Sequence, residues 1–359
     1  MNLVGIATLL IGLLSWDLSA QVVEAPASPR GSLKVKGRFV NPGPSPHASS
    51  DAPKVIDEVE RRISLVGTLL TQDTAPDPPL TMEVPDRSFL MSNRQHTSFT
   101  WLGHATCLIQ MGGQTFLTDP HFSERASPVS FLGPKRLFAP PLAIEELPHI
   151  DVVVLSHSHY DHLDLPSLRA LARQPGGSPL FLVPLELKAW MQKEGVTRTE
   201  ELDWWQTQTH QGLRYTLVPA YHWSTRVLWD RNQTLWGGWV VQSDHFKFYF
   251  SGDTGYSDLF SDIARLGPFD LSAIAIGAYE PRGFMKRHHI NPEEAVRIHH
   301  DIGSQYSIGI HWGTFRLSSE SLQQPVRDLA RALEAQHLDP ETFVTLPPGK
   351  TLRFPLRVP

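Results

Sequence analysis

The stretch Ser156-His157-Ser158-His159-Tyr160-Asp161-His162-Leu163-Asp164 follows directly on the apolar run Asp151-Val-Val-Val-Leu155. A short run of β-branched residues predicts a buried strand, and the polar string after it marks where that strand gives way to a loop and then a helix. Four side chains of ligand type, His157, His159, Asp161 and His162, fall within six positions. In extended backbone residues i and i+2 point the same way, so His157 and His159 can grip one ion together. The turn into the helix then aims Asp161 and His162 at a second position nearby. Buried charge without a partner is costly, so this spacing argues for a pair of metal ions rather than coincidence.

Working outward, three more donors end later strand-like runs. His222 follows LVPAY, Asp253 closes FKFYFSGD, and His311 closes SIGI. Each alone is ordinary, since Asp before Thr-Gly is common turn chemistry. Together with the first motif they predict one cleft at the ends of several strands. The chain has a single cysteine, Cys107, among 359 residues, so a multi-cysteine zinc site is excluded and any metal must be held by His and carboxylates, drawn from 17 His. A formal net charge of −5, from 32 Lys+Arg against 37 Asp+Glu, argues against nucleic acid as a partner. With 41% hydrophobic and 19% charged residues, 30 Pro and 25 Gly, the chain can bury a full core between many turns.

The pattern divides the chain into three parts. Residues 1–20 carry the apolar run LVGIATLLIGLLS (3 to 15) and predict an export signal cut after Ala20, or an uncleaved anchor; the run is shorter than the roughly 20 residues that span a bilayer unaided. Export to the periplasm or outside, or membrane attachment through this segment, is the expected location. Residues 21–95 read as a Pro-rich linker with one amphipathic helix over 54 to 70, where Val55, Val59, Ile63 and Val66 recur at helical spacing. Residues 96–359 read as one α/β domain. It opens with a hairpin, ATCLIQM and QTFLTDP around Gly112-Gly113, and continues as short strands alternating with helices near 165 to 173, 185 to 194 and 292 to 300. That schedule indicates an α/β sandwich of mixed sheets.

The string SHSHYDHLD, with the later His222, SGDTG and GIHWGT, resembles the metallo-β-lactamase superfamily. More narrowly, WLGHAT (101 to 106), FLTDPHFSERASP, LGPKR, GAYEPRGFM and HINPEEAVRIH resemble the N-acylphosphatidylethanolamine-hydrolysing phospholipase D group, over about residues 97 to 317. The resemblance implies an αββα sandwich, two mixed β-sheets flanked by helices, with a metal pair at one edge. It implies His157, His159 and His222 on one Zn2+, Asp161, His162 and His311 on a second, and Asp253 bridging both. It further implies a catalytic group of Asp161, Asp253 and His289, with His289 at the substrate phosphate. A hydroxide shared by the two ions would be the nucleophile; iron or manganese fit the same donors. Asp119 in LTDP and Asp164 are candidates for orienting ligand histidines from behind. His104 reads either as a cleft residue or as a satisfied core histidine.

The implied activity is zinc-dependent phosphodiester hydrolysis of the phospholipase D type, releasing phosphatidic acid and an N-acylethanolamine. A phosphorylated-sugar lactonase or another small phosphodiesterase is the alternative, and a non-catalytic metal-binding protein is a third reading. Lipid is favoured because the resemblance extends over the apolar loop from Phe131-Leu132 to Leu137-Phe138. Among the tryptophans Trp190, Trp204, Trp205, Trp223, Trp229, Trp236 and Trp239, most read as ordinary packing, with some as candidates to line a lipid channel or meet a membrane surface. Lys135 and Arg136 are candidates to pair with an anionic head group. A homodimer is compatible with the sequence, which does not fix oligomeric state.

Overall fold

The structure is a computed structural model that describes residues 30–43 and 80–355. In chain order the elements are β1 (Leu33–Val35), β2 (Arg38–Val40), α1 (Arg87–Ser92), β3 (Thr97–Gly103), β4 (Thr106–Met111), β5 (Gln114–Thr118), β6 (Val152–Val154), α2 (Leu165–Leu171), β7 (Leu180–Pro184), α3 (Lys188–Lys193), β8 (Thr199–Leu202), β9 (Thr207–His210) and β10 (Leu213–Val218). They continue with β11 (Gly238–Gln242), β12 (Lys247–Phe250), α4 (Leu259–Ile263), β13 (Leu271–Ala275), α5 (Arg282–Met285), α6 (Pro292–Asp301), β14 (Ser307–Ile310), α7 (Gln324–Ala335), β15 (Phe343–Thr345) and β16 (Thr351–Phe354).

Two mixed seven-stranded sheets result, one ordered β16-β3-β4-β5-β6-β7-β8 and the other β15-β14-β13-β12-β11-β10-β9. Each joins antiparallel hairpin strands to parallel crossover strands: β4 to β5 is antiparallel and β5 to β6 parallel, as β11 to β12 is antiparallel and β12 to β13 parallel. Their facing sides make one core. Phe99, Trp101, Cys107, Phe116 and Val154 from the first sheet pack with Tyr215, Leu217, Trp239, Phe248 and Phe250 from the second. A second apolar cluster, with Leu108, Leu117, Val153 and Phe181, packs the outer face of the first sheet against Leu168 and Leu171 of α2 and Met191 of α3. Strands covered on both faces explain why β3, β4, β5, β6 and β7 carry no exposed residue.

The parallel crossovers matter because they bring several strand ends to one edge. β6 ends three residues before His157, β12 three before Asp253, and β14 directly before His311. Gly252 makes the turn ahead of Asp253 at φ +54, and a Cβ there would stand 2.7 Å from Ser156 Cβ and 2.9 Å from the Gly237 carbonyl oxygen. Only glycine meets both demands. α6 is held at its start by a reciprocal cap, in which Asn291 accepts from the Glu294 N–H and Glu294 accepts from the Asn291 N–H, with Pro292 at its first position.

Two expectations change. Residues 30–43 are not linker: β1 and β2 form an antiparallel hairpin, Phe39 is 2% exposed in the main core, and its amide donates to the Asn232 carbonyl at 2.8 Å. Phe39 anchors a segment whose composition is otherwise rich in Pro, Gly and Ser, together with hydrogen bonds from its neighbours. The proposed helix over 54 to 70 lies outside the described residues. The expectation of export or membrane attachment through residues 3 to 15 is withdrawn: no helix among the described residues is long and apolar enough to cross a membrane, and the run itself lies outside them.

Gly252→Ala is expected to cost about 1–3 kcal/mol, through a left-handed backbone and a crowded Cβ. Equilibrium urea unfolding of the two proteins measures it, and equal midpoints would contradict the assigned constraint.

Candidate metal centre

The four donors of the first motif converge with all three later ones. His157 Nε2 lies 2.7 Å from His159 Nδ1, which lies 3.2 Å from His222 Nε2. His162 Nε2 and His311 Nε2 stand 3.2 Å apart, with Asp161 Oδ2 3.2 Å from the first and 3.4 Å from the second. Asp253 sits between the two groups. Its Oδ2 is 3.8 Å from His157, 3.7 Å from His222 and 3.2 Å from His162, while its Oδ1 is 3.1 Å from His311. Three sets of mutually close donor atoms follow among the described residues, His157-His159-His222-Asp253, His104-Asp161-His162-His311 and Asp253-His289-His311, all within 4.8 Å inside each set.

Hydrogen bonds behind the rings fix which nitrogen faces the centre. Asp119 Oδ2 accepts from His162 Nδ1 at 2.7 Å and from Ser156 Oγ at 2.5 Å, and its Oδ1 accepts the Ser156 amide. Because the Ser156 hydroxyl proton goes to Asp119, Ser156 Oγ accepts from His157 Nδ1 at 2.9 Å. His222 Nδ1 donates to the His288 carbonyl at 2.9 Å. In His157 and His222 the proton is therefore on Nδ1 and the Nε2 lone pair points inward, and His162 likewise turns its Nε2 toward the centre. The donor set, five imidazoles and two carboxylates, suits a borderline dication such as zinc, and the inward lone pairs would repel one another without a cation among them.

Charge follows the same division. Burial, reinforced by the neighbouring imidazoles, holds His157 and His222 well below the usual histidine range, and burial takes His159 down to about 3. These rings are neutral and ready to donate. For His162 and His311 burial pushes the same way, but the carboxylates Asp253 and Asp161 overcome it. His162 stands well above its ordinary value and His311 at about 9. Burial raises Asp161 and Asp253, yet the imidazoles around them more than offset this and keep both well below the carboxylate range. Both stay anionic.

The other candidates fall at different distances from the centre. His104, at φ +53 in the β3–β4 turn, contacts Asp161 Oδ2 through Nε2 at 2.9 Å, and its carbonyl accepts from the His311 amide at 2.9 Å. It is fully buried, and burial keeps its ring neutral. His289 Nδ1 lies 3.8 Å from Asp253 Oδ2, and burial brings its pKa to about 4. Asp164 reaches no ligand histidine: it accepts from the Ser123 amide and hydroxyl and from Ser167 Oγ, tying the 121–123 loop to α2. Lys135 is spent on Glu124 at 2.8 Å, and Arg136 is buried, donating to the His121 and Ser123 carbonyls. Trp204, Trp236 and Trp239 are core residues whose indole N–H groups bond to carbonyls, so they line no channel. Trp223 packs edge-on against His159 at 4.3 Å, and Trp229 is 72% exposed.

Sequence reasoning missed Ser156 and the His288 carbonyl. A serine ending a strand carries no signal by itself, and a backbone acceptor carries none at all. His121 was also passed over; it is buried against Phe315 at 4.8 Å, beside the charges of Asp164 and Asp161.

Comparison with known proteins identifies the family. Residues 114–312 match the Beta-lactamase superfamily domain, and all seven converging donors lie in that span. The chain is 44% identical over 264 residues to N-acyl-phosphatidylethanolamine-hydrolyzing phospholipase D 1 of Caenorhabditis elegans, covering 70% of this chain and 74% of that one. It is 39% identical over 308 residues to an uncharacterized protein of Mycobacterium tuberculosis, covering 84% of this chain and 80% of the other. A possible metal-dependent hydrolase from Veillonella parvula shares the fold with a TM-score of 0.59 at 18% identity, over 72% of this chain and 100% of that one. The chain belongs to the metallo-β-lactamase superfamily, in the group that includes the N-acylphosphatidylethanolamine-hydrolysing phospholipases D. It is a metal-dependent hydrolase.

One consequence is measurable. His311 in the metal-free protein keeps its proton until the pH rises through about 9, so a dication arriving at pH 7 must displace it. Zinc binding at pH 7 is expected to release at least one proton, with apparent affinity rising with pH up to about 9. Calorimetry in buffers of different ionisation enthalpy detects the release, and buffer-independent heats would contradict it.

Proposed function

We propose that the chain is a zinc-dependent phosphodiesterase of the phospholipase D type, acting on N-acylphosphatidylethanolamine-like phospholipids. The observation that carries this reading is the 44% identity over 264 residues to an enzyme named for that reaction. His157, His159 and His222 would hold one Zn2+, Asp161, His162 and His311 the other, with Asp253 shared. Two dications bound there supply Lewis acidity toward a phosphoryl oxygen and lower the pKa of bound water toward neutrality. In the net reaction a P–O bond forms from water and the P–O bond to the N-acylethanolamine breaks, leaving phosphatidic acid.

The chain's own residues do the positioning. Asp119 orients His162 directly and His157 through Ser156, so one carboxylate serves both halves of the centre. His104 holds Asp161 from the β3–β4 turn. His289, neutral and beside Asp253, donates a hydrogen bond to the substrate phosphate. Lipid access is supported by a groove of about 980 Å³ beside the ligand loop, lined by Tyr160, Leu163, Trp190, Val129 and Val227. In sequence, exposed apolar side chains follow directly on its lining residues Ser130 and Val227: Phe131 is 79%, Leu132 55%, Leu228 98% and Trp229 72% exposed. Such side chains suit a bilayer surface.

Zinc-loaded protein assayed on N-acylphosphatidylethanolamine, other glycerophosphodiesters and sugar lactones tests the substrate. Turnover of the N-acylated lipid is expected; turnover of lactones alone, or of nothing by metal-loaded protein, overturns the reading. Asp253→Ala is expected to lose at least a hundredfold in kcat while remaining folded, read by circular dichroism alongside the assay. Replacing Phe131, Leu132, Leu228 and Trp229 together by Ser is expected to abolish flotation with phosphatidylethanolamine vesicles and leave turnover of a short-chain soluble substrate within about twofold. Undiminished flotation removes these side chains from the lipid surface.

A further inference from the structure

At His222 the main chain leaves its sheet. β10 ends at Val218, Tyr221 still pairs with Gly255, and the two backbone groups of His222 itself find no strand. They are met by one side chain from 181 residues away. Asn41 Nδ2 donates to the His222 carbonyl at 3.0 Å, and Asn41 Oδ1 accepts from the His222 amide at 3.0 Å. A carboxamide carries the same donor and acceptor as a peptide group, so Asn41 replaces the missing ladder partner. Trp236 Nε1 also reaches Asn41 Oδ1, at 3.2 Å, which helps to hold the amide in that orientation.

Asn41 is in turn delivered by the β1–β2 hairpin, which is pinned beside it. The Phe39 amide donates to the Asn232 carbonyl at 2.8 Å, and Asn232 Nδ2 donates back to the Phe39 carbonyl at 3.2 Å. Arg38 donates to the carbonyls of Arg231 and Trp229, and the Ser32 amide to Asp203 Oδ1 at 3.0 Å. The ring of His222 is separately fixed by the His288 carbonyl. The ligand is therefore gripped at two ends, its imidazole by the 288 loop and its backbone by the N-terminal hairpin.

We infer that residues 30–43 are a working part of the metal centre, with Asn41 a positioning residue that sets His222 against His157 and His159. This rests on the metal reading above. Its physical content is a coupling: if the docked hairpin tightens the metal subsite, bound metal must stabilise the docked hairpin by the same factor. An Asn41 that merely helped the chain fold would show no such reciprocity.

Three measurements on the full chain test it. Hydrogen exchange of wild-type protein with and without zinc should show amides 38–41 slowed by bound zinc. Asn41→Ala should weaken zinc, measured by competition with a chromophoric chelator, about ten- to a hundredfold, and alter the cobalt(II) visible spectrum. Arg353→Ala, which removes an exposed ion pair to Asp86 outside both the hairpin and the metal centre, should leave zinc affinity within about twofold at a comparable melting temperature of the metal-free form. Asn41→Asp keeps the acceptor and loses the donor, so it should also weaken zinc and serves if the Ala variant does not fold. Bound zinc with unchanged exchange in the hairpin, or equal affinities of the Asn41→Ala and Arg353→Ala variants, overturns the inference alone. Failure of the wild type to take up zinc, shown by elemental analysis, overturns the metal reading and this inference with it.

Discussion

Two carboxylates buried at one sheet edge among a ring of imidazoles set the terms for the rest of this molecule. Asp253, fully buried, and Asp161, mostly buried, are kept anionic by the imidazoles around them, and their charge holds protons on His162 and His311 while burial strips them from His157, His159 and His222. A buried arrangement of that kind is costly unless its charge is matched. Protons match it in part. Dications match it better, since each can draw on several donors at once. The half with neutral histidines is ready for a cation, while the half with charged ones exchanges protons for it.

The fold is organised to deliver those donors to one edge. Parallel crossovers in both sheets place β6, β12 and β14 with their ends together, and the His104 carbonyl, accepting from the His311 amide, ties a hairpin of the first sheet to a strand end of the second. Left-handed residues recur there: His104 at φ +53, Gly252 at +54 and His311 at +62 turn the chain sharply so that side chains face the cleft rather than continue along a strand. For the two histidines this is local strain concentrated where the chemistry lies, held in place by the packed sheets on either side. A layer of orienting bonds lies behind the donors, with Asp119 and Ser156 under the first motif, the His288 carbonyl behind His222, and Asn41 along its backbone.

The legible part of this architecture was the part written in local pattern. SHSHYDHLD after a valine run, and single donors closing later strands, were enough to place all seven converging side chains, because i, i+2 alternation and strand ends are properties of short segments. The helix from Pro292 was legible for the same reason, through its first-turn proline. Long-range pairings were not. Asn41 looked like one residue in a Pro-rich linker, and nothing near it signals a partner 181 positions away. Asp164 looked equivalent to Asp119 by proximity to His162, yet the turn into α2 points it toward the 121–123 loop. Most of the tryptophans read as ordinary packing, and the buried ones are that, with an indole N–H satisfied by a carbonyl deep in the core, as Trp239 is by Leu155.

The central claim is that the converging donors seat two cations, with Asp253 between them. A crystal structure of zinc-loaded protein, with anomalous difference maps collected on either side of the zinc edge, addresses it most directly. The account predicts two peaks, one among His157, His159 and His222 and one among Asp161, His162 and His311, each within bonding distance of Asp253. A single peak, or zinc bound away from Asp253, would contradict it.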